Sequence, residues 1–306
     1  MTVLYVDSPH SDAERRRQLY SGAVYVSSAR PETLELCALA QDMLTRAFGG
    51  RDPRSAQFDM PVEQYAAILA EWKPRFIHEP RAKEIIRRML LAFGCDAQRT
   101  YFDVPRLRTS TSDGYLTSGI AYAFHAHRDT WYSAHPAQVN WWLPVYPIEP
   151  NNCLAFHPRY WSQGVANTSR EYNYQEWTRT SRQQAAQHIK NDTRPQPKAT
   201  QPLDLQPDLR IVCPPGGVII FSAAQLHSSV PNTSGQTRVS IDFRTVCLDD
   251  VLAGSGAPNV DSECSGTVLG DFLRVEDFER LRGEVVARDD VRRTVDSAAS
   301  QALSGA

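Results

Sequence analysis

The chain has 306 residues, 42% of them apolar and 22% charged, with a formal net charge of −2. That composition suits a globular protein with a sizeable core and carries no basic field for nucleic acid or an anionic membrane. No apolar run approaches the ~20 residues that span a bilayer.

Residues 1–10 have neither a basic nor an apolar segment of the kind that forms a signal peptide. The six cysteines are scattered with no C-x-x-C pair, which argues against a zinc site or a disulfide framework and for free thiols in a reducing cytoplasm. Residues 1–98 read as two short strands, 3–6 and 22–26, followed by a helical layer. Apolar spacing predicts helices over 31–48, about 61–72 and 80–93, the first opened by Pro31 and closed by Gly49-Gly50. From residue 99 to 247 the texture is β-rich: strands are expected at 101–104, 119–127, 138–146, 153–156, 209–213, 218–221 and 237–246. Short strands between turn residues point to a sandwich or barrel rather than βαβ units. The polar stretch 159–207, with Tyr160, Trp161, Tyr172, Tyr174 and Trp177, interrupts that rhythm as a lid or as a solvated loop. Residues 248–306 are expected to form a C-terminal helical cap, with a charged helix at about 275–300. The whole is read as one domain.

His127 and Asp129 stand two residues apart, so on an extended stretch their side chains share a face. His227 follows the apolar strand 218–221, and Arg238-x-Ser240 follows it in turn. Two imidazoles and one carboxylate on one face, with the opposite face open, form the ligand set of non-haem Fe(II) oxygenases.

Together, His127-x-Asp129, the Pro215-Gly216-Gly217 turn into Val218-Ile219-Ile220-Phe221, His227, Pro231-Asn232-Thr233-Ser234 and Arg238-x-Ser240 resemble the Fe(II)/2-oxoglutarate-dependent dioxygenases, in particular the phytanoyl-CoA-dioxygenase-like branch. The resemblance spans residues 100–247. It implies a mainly β fold with flanking helices around a double-stranded β-helix (jelly-roll, cupin-like) core. It implies Fe(II) held by His127, Asp129 and His227, with O2 and 2-oxoglutarate as cosubstrates. The distal carboxylate of 2-oxoglutarate would take the always-charged, bidentate guanidinium of Arg238, with Ser240 beside it. The reaction implied is hydroxylation of an unactivated C–H bond of a small molecule, amino acid-like or a natural-product intermediate, yielding succinate and CO2. Desaturation or oxidative cyclisation would use the same site. Asp129 speaks against halogenation, because halogenating relatives carry a small residue there. The chain departs from its relatives at Phe156-His157-Pro158-Arg159, where they tend to carry a Pro-Gly-Ser-His-like turn, so their substrate does not carry over.

Several residues compete for roles. His125 shares the expected face of His127, which keeps a cupin-like His125/His127/His227 site open. Arg244 shares the face of Arg238 and would contact substrate or replace it as the clamp. Tyr101, Gln138 and Asn140 flank the motif and would touch the cosubstrate, or serve as satisfied polar groups of a barrel interior. Trp131 would border the pocket; Arg159 and Trp161 would face substrate; His135 and His157 are structural or substrate-facing. Arg128, Arg159 and Arg170 near the expected mouth suggest a polar or anionic substrate. Two other readings remain, a cupin-type metal enzyme independent of 2-oxoglutarate and a non-catalytic jelly-roll binding module. The oligomeric state is open.

Overall fold

The computed structural model describes residues 2–117, 119–121, 124–181 and 192–304. Strands β1 (Leu4–Val6) and β2 (Val24–Ser27) pair in parallel and are joined by helix α1 (Asp12–Tyr20). Periodicity misses α1 because its sequence, DAERRRQLY, has no apolar stripe. Its start is set instead by a capping box, in which Ser11 Oγ accepts the Glu14 N–H while the Glu14 carboxylate accepts the Ser11 N–H at 2.9 Å. Arg15 then turns inward and donates to the Phe93 carbonyl at 3.0 Å.

Helices α2 (Pro31–Ala47), α3 (Val62–His78) and α4 (Pro80–Ala92) follow the expected apolar spacing. α3 runs beyond the expected end at 72, through Pro74, because its buried stripe continues from Leu69 to Phe76. The chain then forms β3 (Thr100–Phe102), β4 (Arg106–Ser110), β5 (Val139–Pro144), β6 (Leu154–Phe156), α5 (Tyr174–Thr180), β7 (Leu209–Ile211), β8 (Val218–Ser222), β9 (His227–Ser229), β10 (Arg238–Cys247), α6 (Leu248–Ala253), β11 (Leu273–Arg274) and α7 (Gly283–Ser304).

Among the described residues, one sheet has the order β1-β2-β8-β5-β10-β3-β11 with β4 also paired to β10, and a smaller one has the order β7-β6-β9. Side-chain alternation divides the large sheet. Trp141, Leu143, Ile220, Val239, Ile241 and Phe243 pack with α2, α3 and α4 in the main core. On its other face Trp142, Ile219 and Phe221 meet Leu154, Phe156 and Ile211 of the small sheet. The molecule is thus a mixed sheet flanked by helices, with a second sheet over its free face, and the space between the sheets is where inward polar residues collect.

Three expectations change. Residues 119–121 and 124–126 form no strand, and His127 makes only a single bridge to His227; the rest of that stretch lies outside the described residues. β4 was missed because Pro105 reads as a stop, yet proline constrains only its own φ and the residue before it. The C-terminal helix begins at Gly283 rather than 275, since residues before it close back on β3 through β11. The interruption at 159–207 carries short 3-10 helices and α5 in its described part, and its centre, 182–191, lies outside the described residues. All six cysteines are free and buried, and no helix among the described residues is long and apolar enough to cross a membrane.

His135 is structural. Its Nδ1 accepts the Ala137 N–H at 3.0 Å, and its Nε2 lies 3.2 Å from the Arg292 guanidinium. Burial pushes its pKa from 6.5 down to about 4, against the opposing pull of Asp289. The unfolded chain therefore binds a proton that the folded chain refuses between about pH 6.5 and about 4, and stability drains away as pH falls through that window. His135→Gln is expected to flatten the decline of Tm between those pH values. An unchanged slope would show that the folded state accommodates the charged ring.

Candidate metal centre

The bridge between His127 and His227 uses paired backbone hydrogen bonds, N–H to carbonyl at 3.0 Å in each direction. It fixes the two imidazoles side by side, with ring centroids 4.4 Å apart. Asp129 is not on a strand but opens a 3-10 turn, Asp129–Tyr132, that swings its carboxylate back toward His127. One ligating atom from each of His127, Asp129 and His227 lies within 4.8 Å of the others.

The tautomers are set from behind. His127 Nδ1 donates to the His125 carbonyl at 2.8 Å, and His227 Nδ1 donates to the Gln225 carbonyl at 3.0 Å. A carbonyl only accepts, so each Nδ1 carries the proton and each Nε2 offers a lone pair, the arrangement expected of metal-ligating histidine. His127 Nε2 faces Asp129 Oδ1 at 3.3 Å. A metal ion between two electron-rich atoms so placed would satisfy both. Burial and the neighbouring His127 push the His227 pKa down to about 4, which keeps that ring neutral near pH 7. Burial works against ionisation of Asp129, but its contact with His127 and the fields of His227, His127 and Arg244 hold its pKa well below the usual carboxylate range. The donor set is two imidazoles and one carboxylate, which fits a divalent first-row ion.

Gln138 and Asn140 stand behind the carboxylate. Asn140 Nδ2 donates to Asp129 Oδ2 at 2.9 Å, and Gln138 Nε2 donates to Asn140 Oδ1 at 2.9 Å. Both are nearly inaccessible. Outer partners of this kind tune metal affinity, so Asn140→Leu is expected to weaken metal binding by about 10–100-fold while leaving the fold intact. Metal titration of the two proteins checks this, and equal affinities would remove Asn140 from the site. Phe124, Tyr132, Phe156 and Phe221 ring the two imidazoles, with centroids 4.6 to 6.2 Å away.

Arg238 projects from the start of β10 into the space between the sheets and is 5% exposed. Its Nη atoms reach the Asn152 carbonyl at 3.3 Å and Ser229 Oγ at 3.4 Å, and no carboxylate pairs with it among the described residues. Among the described residues its Nε has no partner, nor have the hydroxyls of Ser240 and Ser110. Ser240 shares the Arg238 face of β10, and Ser110 sits opposite Arg238 in the β4–β10 pair. Burial drags the pKa of Arg238 down to about 10. A buried cation ringed by unsatisfied donors is costly by itself and becomes favourable only when an anion arrives.

The remaining expected site residues scatter. Arg244 is tied to Asp103, its Nε donating to the carboxylate at 2.6 Å. Tyr101 is buried beneath the C-terminal helix with Val246, Leu248 and Phe272 rather than with the metal-site residues. Trp131 is fully buried with Tyr160, Val165 and Leu226, and its indole N–H donates to Asp261 at 2.8 Å, so it anchors the wall rather than lining a pocket. Arg159 pairs with Asp204 at the surface. Trp161 packs on the turn before β2, where a Cβ on Gly22 (φ +94°) would come within 2.8 Å of the indole. His125 turns away, its Nε2 3.1 Å from the Pro197 carbonyl. His157 is held between the Leu205 carbonyl and Ser228 Oγ. Arg128 and Arg170 are consumed by Asp261 and Glu263, so the three arginines expected at a mouth supply no open charge.

The Arg128–Asp261 pair is almost fully buried, and Asp261 also accepts the Trp131 indole and the Val165 N–H at 3.0 Å. Asp261→Ala strands a buried guanidinium and is expected to cost about 3–5 kcal/mol, read from denaturant unfolding. A loss below about 1 kcal/mol would mean that water replaces the carboxylate.

Sequence reading gave no site role to Asp103, which lies between β3 and β4, or to Arg106, Arg108 and Ser110 on β4. The alternation Arg106-Leu107-Arg108-Thr109-Ser110 is the signal that would have found the strand.

No family model and no curated protein matches the sequence. Solved structures do. The non-heme monooxygenase ThoJ (apo) is 14% identical, with a TM-score of 0.40 and coverage of 91% of this chain and 94% of that one. The epimerase SnoN, in complex with Fe3+, alpha ketoglutarate and nogalamycin RO, is 14% identical, with a TM-score of 0.39 and coverage of 77% and 85%. EvdO2 from Micromonospora carbonacea var. aurantiaca is 14% identical, with a TM-score of 0.35 and coverage of 58% of this chain; the match spans 64% of EvdO2's own length. The chemistry of the site rests on its own residues.

Proposed function

We propose that this chain is a non-haem Fe(II)/2-oxoglutarate-dependent oxygenase, acting as one domain whose two sheets form an open double-stranded β-helix. The observation that carries the reading is Arg238: a buried guanidinium with, among the described residues, no carboxylate partner, beside Ser240 and Ser110 hydroxyls that are likewise unpaired among them. A metal triad alone would suit several enzymes. A triad together with an uncompensated cation between the same two sheets calls for an anionic cosubstrate that bridges them.

His127, Asp129 and His227 would hold the metal, leaving the face away from them open. Arg238 would clamp the distal carboxylate of 2-oxoglutarate, with Ser240 and Ser110 donating to the same oxygens. When bound, Fe(II) with 2-oxoglutarate and O2 supplies the oxidation of an unactivated C–H bond, with succinate and CO2 as coproducts. The protein's own contribution is placement. Nδ1 hydrogen bonds to carbonyls lock both imidazoles, Asn140 orients the carboxylate, and the phenylalanine rings keep bulk water from the ligands. Hydroxylation of a small molecule is the reaction proposed, on a phytanoyl-CoA-dioxygenase-like arrangement of residues.

Anaerobic calorimetric titration of the metal-free protein with Fe(II) and then 2-oxoglutarate tests the reading. Metal-dependent binding of 2-oxoglutarate is expected. Metal binding without it would favour a metal enzyme independent of 2-oxoglutarate, and absence of metal binding would leave a binding module.

A further inference from the structure

The strand pair β4–β10 presents more than the cosubstrate clamp. Arg106 lies opposite Asp242, Arg108 opposite Ser240 and Ser110 opposite Arg238, all on the face away from Leu107 and the helical core. With Arg244, that face holds, among the described residues, four guanidiniums and, apart from the triad, two carboxylates, Asp103 and Asp242. Asp242 is taken by Arg108 at 2.6 Å. Asp103 serves two arginines at once, accepting from Arg106 Nη1 at 2.5 Å and from Arg244 Nε and Nη2 at 2.6 Å each. The charge excess is therefore two. Cosubstrate at Arg238 would neutralise one, and the other stays with the Arg106–Asp103–Arg244 group.

The geometry points to this group, together with the neighbouring Arg108, as the seat of a carboxylate or phosphate on the substrate itself, so that the enzyme takes an anionic substrate, an inference that rests on the oxygenase reading above. The carboxylate of the group is hidden and its cations are not. Asp103 is 1% exposed at its side chain, whereas Arg106, Arg244 and Arg108 are 13%, 16% and 51% exposed. An incoming ligand meets guanidinium edges. Donors remain for it: Arg106 Nε and Nη2, Arg108 Nη1 and Arg244 Nη1 make no hydrogen bond among the described residues. Planar guanidinium edges recognise oxyanions in forked pairs, which suits carboxylate and phosphate alike. The position is also productive. Arg244 pairs across from Asn140, which holds Asp129, so an oxyanion held here sets the adjoining part of the substrate beside the metal ligands. Arg108 and Asp242 at the rim give the group a point of entry.

The test uses the full chain carrying Arg238→Gln, so that no added anion reports on the cosubstrate clamp, and requires no metal. Thermal unfolding is followed at constant ionic strength while chloride is exchanged for inorganic phosphate or for acetate. A saturable rise in Tm with at least one of them is expected, and the stronger of the two identifies the group. Adding Arg106→Gln or, separately, Arg108→Gln should weaken that response more than 10-fold. Arg108 is half-exposed, so its variant keeps the fold even if Arg106→Gln does not. No saturable response, or one that survives in Arg108→Gln, overturns the inference. Either result is independent of the calorimetric titration with Fe(II) and 2-oxoglutarate, whose failure would instead remove the oxygenase reading.

Discussion

Arg238→Met is expected to abolish metal-dependent binding of 2-oxoglutarate while leaving the ligand-free protein as stable as wild type, or more so. The two effects have opposite signs for one physical reason. Without an anion, Arg238 is a buried charge whose acceptors among the described residues are the Asn152 carbonyl and Ser229 Oγ at 3.3–3.5 Å, and whose Nε finds no partner among them. Its neighbours do not meet the desolvation cost of that charge. Methionine has a similar length, keeps the contact with Trp142, over whose ring the guanidinium lies 5.6 Å from the centroid, and removes the cost. With cosubstrate present, the same substitution deletes one side of a buried charge pair, worth about 2–5 kcal/mol, or roughly 30-fold or more in Kd. Calorimetry reads the affinity and thermal unfolding reads the stability. A variant that binds 2-oxoglutarate like wild type, or one that unfolds far more easily, would make Arg238 a structural residue and would remove the main support for the proposed function.

Asp129→Ala is expected to lower metal affinity by more than the 10–100-fold anticipated for Asn140, because it removes a ligand rather than the group that orients it. Metal bound to the folded state alone raises stability by about 2.7 kcal/mol at a hundredfold excess over Kd. Wild type should therefore gain Tm with Fe(II) or Co(II), and the variant should gain little at the same concentration. The metal-free variant carries a further signature. His127 Nε2, which faces Asp129 Oδ1 at 3.3 Å, loses that contact, so the ring signals of His127 should move in the NMR spectrum of the variant. An equal metal-induced shift in both proteins would show that the ion sits elsewhere.

Much of this was legible in the chain. The apolar spacing of α2 and α4 and the alternation of β10 follow directly from the order of residues, because helix and strand periods write themselves into which positions are apolar. The three triad residues and Arg238 were legible as types at telling intervals. Less legible were features made by a residue's surroundings. α1 has no stripe to read and depends on Ser11, Glu14 and a buried Arg15. The arginines expected at the mouth, Arg128, Arg159 and Arg170, look open in one dimension and prove to be paired with Asp261, Asp204 and Glu263, some distant in sequence.

By itself, then, the sequence determined the residue types of the candidate metal ligands, their order along the chain and most of the elements that carry them, since those depend on local periodicity and on side-chain chemistry. Only the tertiary structure decided which charges are compensated. Ion pairing is set by proximity in the fold: it brought Arg244 to the Asp103 that already pairs with nearby Arg106, and left Arg238 with no carboxylate among the described residues. Charge left unpaired in a buried place is what an anionic ligand recognises.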